Sequence, residues 1–133
     1  MADLVRVWTA DPGIALTNRS VPAGSAFEVV LNVEAESGEF ALGAQYSAGA
    51  VAINRTTGAV SGPLAAVAGS PAYGAVANMG PATLWDPELD EFRYTVPDTF
   101  GDANDLIEAI AFITVGAGVS KESHFSSSHV IRV

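Results

Sequence analysis

The strongest constraint on the fold of this chain is a strict alternation of apolar and mostly polar side chains at residues 27–36. The apolar positions are Phe27, Val29, Leu31, Val33 and Ala35, and the positions between them are Glu28, Val30, Asn32, Glu34 and Glu36. Successive side chains of a β-strand point to opposite faces, so this period is typical of a strand with one face buried. We therefore predict a half-buried strand at residues 27–36.

Other segments repeat this alternation or carry β-branched runs between turn residues. Ser37 and Gly38 predict a turn that joins residues 27–36 to a second strand in a hairpin, and residues 116–118 predict another hairpin tip. The acidic connector at residues 98–105 is compatible with one short helical turn before Leu106. The predicted strands are residues 4–9, 27–36, 40–46, 51–53, 59–60, 91–96, 107–115 and 125–133.

Residues 107–115 are apolar on both faces, so periodicity alone does not separate a buried helix from a central strand. The β-branched side chains of this segment favour the strand. Short strands with Gly and Pro turns over 133 residues predict one all-β domain, residues 1–133, folded as a two-layer antiparallel β-sandwich of immunoglobulin-like or jelly-roll-like type. A closed barrel is the alternative architecture.

Two strands carry a resemblance to known sandwiches. The segments Phe27-Glu-Val-Val-Leu-Asn-Val33 and Phe92-Arg-Tyr-Thr-Val96 resemble strands of immunoglobulin-like and fibronectin-type domains. The chain has no cysteine, so the Cys-Trp-Cys pattern of antibody-type domains is absent. The resemblance implies an adhesion, assembly or ligand-binding unit. It does not say which of these, because a fold of this kind does not fix a function.

The composition excludes several functional classes. Six Lys and Arg residues stand against 15 Asp and Glu residues, for a net charge of −9, and the cations are scattered singly along the chain. Nucleic acid and anionic membrane surfaces both require clustered basic side chains, so neither is expected as a partner. The absence of cysteine excludes thiol catalysis, cysteine zinc sites and disulfides.

The N-terminal residues have no basic segment followed by an apolar run, so no secretory signal is expected. Every apolar stretch is interrupted by Gly, Pro, Ser or a charge before it reaches the roughly 20 residues that cross a bilayer. We therefore expect a soluble protein, and membership of a particle or surface assembly is compatible with this sequence.

Catalytic motifs are absent. The chain has no Gly-x-Ser-x-Gly elbow, its histidines are His124 and His129, and its lysine, Lys121, does not follow a phosphate-binding glycine loop. These features predict a protein that is not an enzyme. A triad assembled in space and a glycosidase pair of carboxylates stay open as alternatives.

Two acidic clusters flank the strand that contains Phe92. Hard oxygen ligands from two loops are what calcium prefers, although the spacing is not that of an EF-hand. One hypothesis is a calcium site that links the loops, and the alternative is solvated loop charge with no cofactor. The candidate ligands are Asp86, Glu88, Asp90, Asp98, Asp102 and Asp105.

Aromatic side chains outside the predicted strands suggest a carbohydrate-binding module as an alternative function. Sugars stack on exposed rings, and the candidates are Tyr73 and Trp85. Trp8 is expected to pack in the core instead, because Trp is highly buried on average.

The outward face of residues 107–115 carries Ile110 and Phe112, where a sandwich strand usually places polar residues. Either the loop of small residues at 64–82, which contains Tyr73, covers them, or a second subunit does. We favour the subunit, because homo-oligomers reuse one patch on every copy. The predicted function is a non-catalytic structural or assembly module, such as a decoration or adhesion-type subunit, with Ile110, Phe112 and Tyr73 as contact residues.

Overall fold

The computed structural model describes residues 3–116 and 122–133, and these residues form ten β-strands and one short α-helix. The elements are β1 (Asp3–Ala10), β2 (Ser20–Val21), β3 (Phe27–Glu34), α1 (Ser37–Ala41), β4 (Gln45–Asn54), β5 (Val60–Pro63), β6 (Ala65–Ala66), β7 (Ala77–Asn78), β8 (Leu89–Val96), β9 (Leu106–Val115) and β10 (Glu122–Arg132).

The strands form two packed sheets. Sheet A has the order β1-β3-β8-β6, and sheet B has the order β2-β10-β9-β4-β5, with β7 paired to β4. All pairs are antiparallel except β2 with β10. This is the strand order of immunoglobulin-like sandwiches. The predicted two-layer sandwich is confirmed, and the barrel alternative is wrong.

The core lies between the inner faces of the two sheets. Alternate residues of β3, β8 and β9 point into it, as strand geometry requires. Three aromatic rings meet within it: the ring centroid of Trp85 lies 4.9 Å from that of Tyr46 and 5.7 Å from that of Phe92. The largest buried core side chains include Trp85, Tyr46, Tyr94, Phe27, Phe92, Leu31, Met79, Ile107 and Ile113.

Most of the predicted strands are present. The alternation at residues 27–36 forms β3, residues 91–96 fall within β8, and the ambiguous segment at 107–115 is strand β9. Strand β10 pairs antiparallel with β9, with Phe125 opposite Phe112. The hairpin tip predicted at 116–118 lies largely outside the described residues.

The strand predicted at residues 40–46 is wrong in its first half, and so is its hairpin with β3. Phe40 and Ala41 are the last residues of α1, β4 begins only at Gln45, and β3 and β4 belong to different sheets. The Glu39 carboxylate accepts a hydrogen bond from the Glu36 N–H at 3.3 Å, as in a capping box that starts a helix. Leu42, which the alternation assigns to the face of Phe40, is 88% exposed.

The helical turn before Leu106 is also not formed. Residues 98–105 make non-helical turns, with Asn104 at a φ of 69°. The Asp105 carboxylate organises them, because its Oδ2 accepts hydrogen bonds from the Asp102 N–H and from the Asn54 side-chain amide, both at 2.8 Å. These bonds hold the pKa of Asp105 below its usual range.

The Arg132 side chain is fully buried, and its guanidinium lies among segments that are distant from β10 along the chain. It donates to the carbonyl oxygens of Phe100 at 2.6 Å, Ser25 and Pro97 at 2.9 Å, and Pro22 at 3.3 Å. A buried charge is tolerated only when it is well hydrogen-bonded, and these bonds satisfy that requirement. Arg132 therefore joins two connecting segments, β2–β3 and β8–β9, to the last strand.

Candidate functional site

Three aromatic rings lie together on the outer face of sheet B, and we call them the aromatic patch: Tyr73, Phe112 and Phe125. The ring centroid of Phe112 lies 5.2 Å from that of Tyr73, edge to face, and 6.3 Å from that of Phe125. Phe112 is half-buried, whereas Phe125 is 70% exposed and Tyr73 is 40% exposed. The patch is therefore an apolar surface that the described chain covers only in part.

Strand register explains why the rings meet. Ala111 and Ile113 point into the core, so Phe112 between them points outward, and the β9–β10 register places Phe125 directly opposite it. Ile110 shares this outer face and is also half-buried. Ile110, Phe112 and Tyr73, which the sequence analysis names as contact residues, therefore lie on the same face of sheet B, and their role in association stays a prediction.

Gly49 on β4 makes room for the ring pair. It pairs with Phe112, and a Cβ atom built on it would lie 2.5 Å from Cδ2 of Tyr73 and 2.9 Å from Cε1 of Phe112. Real Cβ atoms do not approach so closely, so this position needs glycine for a close approach of side chains. Sequence reasoning missed Gly49, although a glycine inside an otherwise regular strand is itself a signal of such an approach.

The loop at residues 64–82 carries Tyr73 from sheet A to sheet B. The Tyr94 hydroxyl donates to the Pro71 carbonyl at 2.7 Å on the sheet A side. The Gly74 N–H donates to the Ala48 carbonyl of β4 at 3.0 Å on the other side. The loop therefore packs across the outer face of sheet B and covers part of Phe112 through Tyr73, which is the intramolecular alternative that the sequence left open beside the favoured second subunit.

Polar groups close both ends of the outer face of β9. Glu108 accepts hydrogen bonds from the Arg55 guanidinium, and its second oxygen lies 3.4 Å from Nε2 of His129. The hydrogen bonds from Arg55 hold the pKa of Glu108 below its usual range. At the other end, the hydroxyls of Thr114 and Ser123 lie 3.3 Å apart. The apolar stretch between these ends is confined to the patch and Ile110.

Trp85 lies in the core, whereas the carbohydrate hypothesis requires its ring at the surface. Its side chain is 0% exposed, packed between Tyr46 and Phe92, and its indole N–H points to the Glu88 carbonyl at 3.4 Å. A buried ring offers no face to a sugar, so Trp85 as a glycan contact is wrong. Tyr73, the other candidate, does present its ring at the surface.

The proposed calcium ligands are not gathered into one site. Asp86 accepts from the Ala82 N–H at 2.8 Å, and Glu88 accepts from the Ser37 hydroxyl at 3.2 Å while also lining an open cleft of 480 Å³. Burial raises the pKa of Asp90. Among residues 3–116 and 122–133, no group of three or more His, Asp or Glu side chains is placed to hold a metal ion.

The second acidic cluster instead faces a protein cation. Asp98, Asp102 and Asp105 all interact electrostatically with the Arg132 guanidinium, and they partly offset the lowering of its pKa by burial. These carboxylates therefore have a counter-charge within the chain. Calcium binding stays a prediction.

The described part of the chain contains no helix long and apolar enough to cross a bilayer.

The sheets, the core and the strand order define the chain as a two-layer β-sandwich. No protein-family model matches the sequence, and no curated protein matches it. Among solved structures, the fold is similar to AggA, the major subunit of aggregative adherence fimbriae type I from Escherichia coli. The TM-score is 0.53 at 8% sequence identity, and the match covers 100% of this chain and 96% of AggA. At that identity the similarity concerns the fold.

Proposed function

We propose that this protein is a non-catalytic structural subunit that associates with copies of itself through the aromatic patch. The observation that carries the proposal is the Phe125 ring, 70% exposed beside Tyr73 and Phe112 on a regular sheet face. Contiguous exposed apolar surface on a soluble sandwich marks an interaction site. Aromatic side chains are also the residues that dominate the energetics of protein interfaces.

Charge favours this face for contact between identical copies. The chain has a net charge of −9, so two copies repel each other over most of their surfaces. None of the three residues of the patch is charged, and β10 carries no acidic residue after Glu122. Contact through the patch therefore places few carboxylates against one another.

The comparison with AggA supports the same class of role. AggA is the major subunit of aggregative adherence fimbriae type I, and the fold similarity covers 96% of its chain. A subunit of a surface or particle assembly is the role that we infer for this chain. The partner in this proposal is a second copy of the chain.

The test replaces Phe125 with Ser and measures mass in solution by light scattering and native mass spectrometry over a range of concentrations. We expect the wild-type protein to associate and F125S to remain monomeric, with a melting temperature within a few degrees of wild type because Phe125 is mostly exposed. The matched control is Leu42→Ser, which removes an apolar side chain that is 88% exposed elsewhere and should leave association unchanged. A wild-type protein that stays monomeric at high concentration would overturn the proposal.

Carbohydrate binding is a second candidate function, because Tyr73 and Phe125 present two rings on one sheet face. Sugars stack on such rings, and a few polar groups nearby fix their orientation. A glycan array separates the two functions. Binding that is lost in Tyr73→Ala, with a monomeric wild-type protein, would favour the carbohydrate module over self-association.

A further inference from the structure

The lateral edges of the two sheets differ in how they are protected from pairing with another strand. In sheet A, β1 is interrupted by an irregularity between Leu4 and Arg6, and the opposite edge strand β6 has only two residues. In sheet B, the edge strand β5 contains Pro63. Bulges, short strands and prolines are the devices by which proteins prevent edge-to-edge pairing.

Strand β10 has none of these devices over most of its length. It is 11 residues long, pairs with β9 without a break in register, and contains no proline. Among the described residues, strand β2 pairs with its outer edge at Ile131 and Arg132, and the Val133 N–H donates to the Val21 carbonyl just beyond them. Strand β1 packs beside it, but within residues 3–116 and 122–133 no ladder pairs these two strands.

The hydrogen-bond pattern identifies which main-chain groups face this edge. The Ile131 N–H donates to the Arg19 carbonyl at 3.0 Å, on the side away from β9, whereas the Arg132 N–H donates to Asp105 on the side of β9. Main-chain groups alternate in direction along a strand, so every second residue before Ile131 also faces outward. These residues are His129, Ser127, Phe125 and Ser123.

The sequence of this edge is complementary to itself in the antiparallel direction. With two copies of β10 related by a two-fold axis at Ser126, Phe125 lies opposite Ser127 of the second copy, and Ser123 lies opposite its His129. Both large outward side chains then face a serine, and all four outward main-chain positions fall in hydrogen-bonded pairs. No Asp or Glu occurs from Ser123 to the end of the sequence, so like charges do not oppose the pairing.

We propose that the outer edge of β10 pairs antiparallel with β10 of a second copy, in the register centred on Ser126, and joins the two B sheets into one continuous sheet. This inference rests on the proposed function and deepens it. The aromatic patches of both copies would lie on the same outer face, one on each side of the two-fold axis. The main chain supplies pairing across the axis, and Phe125 packs beside it.

The decisive variants are Ser127→Pro and its control Ser127→Ala. Both remove the hydroxyl, but only proline removes the outward N–H, and edge strands tolerate proline where the N–H faces away from the ladder. Two symmetry-equivalent hydrogen bonds are lost in the dimer. We expect S127P to stay folded by circular dichroism and to associate on the order of 10- to 100-fold more weakly than S127A. Equal association of folded S127P and S127A would overturn the edge pairing.

Hydrogen exchange of the wild-type protein tests the pairing without any variant, and so covers the case in which S127P does not fold. The amides of Phe125, Ser127 and His129 should exchange slowly at high concentration and rapidly on dilution. Rapid exchange of these amides in the associated protein would overturn the edge pairing.

The failures of the two proposals are distinguishable. Association that is lost in F125S but kept in S127P would retain the aromatic patch as the contact and remove the β10 edge. A monomeric wild-type protein would remove both.

Discussion

The two outer faces of the sandwich both carry apolar side chains, but the chain covers only one of them well. On sheet A, Trp8 is 5% exposed and Val30 is 0% exposed, although both lie outside the main core. On sheet B, Phe125 is 70% exposed, and the loop supplies one ring, Tyr73, over Phe112. The faces differ in coverage more than in composition.

An ion pair on the outer face of sheet A holds the segment at residues 11–19 against that face. Glu28 and Arg93 meet at 2.9 Å on this face, and their side chains are 7% and 14% exposed. Each also holds the segment at residues 11–19, since the Gly13 N–H donates to Glu28 at 2.9 Å and Arg93 donates to the Ile14 carbonyl at 3.1 Å. On sheet B, the charged pair of Arg55 and Glu108 lies at the end of the face and secures no segment over the patch.

The comparison teaches that apolar surface outside a core contributes to stability where a segment seals it, and remains available for association where none does. Burying apolar surface stabilises the folded or associated state by about 25 cal/mol per Å². A sealed face has already gained that free energy. An open face gains it only when something docks.

The largest expected effect tests the sealed face, which is the outer face of sheet A; the open face is the outer face of sheet B. Replacing Trp8 with Ala should cost about 3 kcal/mol of unfolding free energy, as truncation of a buried aromatic side chain does, and should leave the association state unchanged. Urea denaturation monitored by circular dichroism measures the loss. The matched variant on the open face is Phe125→Ala, for which we expect less than about 1 kcal/mol. Equal losses in the two variants would contradict the difference between the faces.

A smaller effect is expected at Gly49, under the ring pair of the open face. Gly49→Ala places a methyl group where Tyr73 and Phe112 now lie, so Tyr73 should move away from the sheet at a cost of about 1–2 kcal/mol. Chemical nitration followed by mass spectrometry reports the displacement, because Tyr46 and Tyr94 are buried and Tyr73 is the exposed tyrosine. Ala48→Gly, a change on the buried side of the same strand, is the control. Unchanged nitration of Tyr73 in Gly49→Ala would count against the packing described for the patch.

The smallest effect is the acid dependence of the open face. The hydrogen bonds from Arg55 lower the pKa of Glu108 in the folded state, so the ionised carboxylate stabilises the fold. That contribution is complete above the ordinary glutamate pKa of about 4.3 and is lost as the pH falls through the lower folded pKa.

Thermal melts from neutral pH down to about pH 3 should show Glu108→Gln losing less stability on acidification than wild type, by under about 1 kcal/mol because Arg55 is half exposed. Added salt should shrink the difference. Glu34→Gln, at the exposed last residue of β3, serves as the control. An identical pH dependence in wild type and Glu108→Gln would exclude this role of the ion pair.

The sequence was informative where an apolar alternation or a run of β-branched residues marks a strand, although the face of β3 that carries Glu28 and Val30 is buried and not exposed. The alternation from Phe27 to Val33 predicted β3, and the β-branched run that includes Ile113 predicted β9. It failed at residues 40–46, because a short alternation also fits a helix followed by a strand, and the hydrogen bond from Glu36 to Glu39 settles the local conformation.

The candidate site was predicted only in part, for a reason that lies in tertiary contacts. Ile110 and Phe112 follow from the two-sided apolar pattern of β9. Phe125 does not, because its position beside Phe112 depends on the register between β9 and β10. Trp85 was misplaced because nothing local shows that its loop folds back onto Tyr46.

Arg132 has a consequence for the order in which the fold closes during synthesis. Its guanidinium holds carbonyl groups from segments around Pro22 and Pro97, which the ribosome makes much earlier than β10. In a nascent chain these two segments lack their hydrogen bonds to the guanidinium until Arg132 has been added. A translation product that stops within β10 therefore leaves the segments around Pro22 and Pro97 without this cross-link and part of the core uncovered, and exposed apolar surface is what cellular proteases and chaperones recognise.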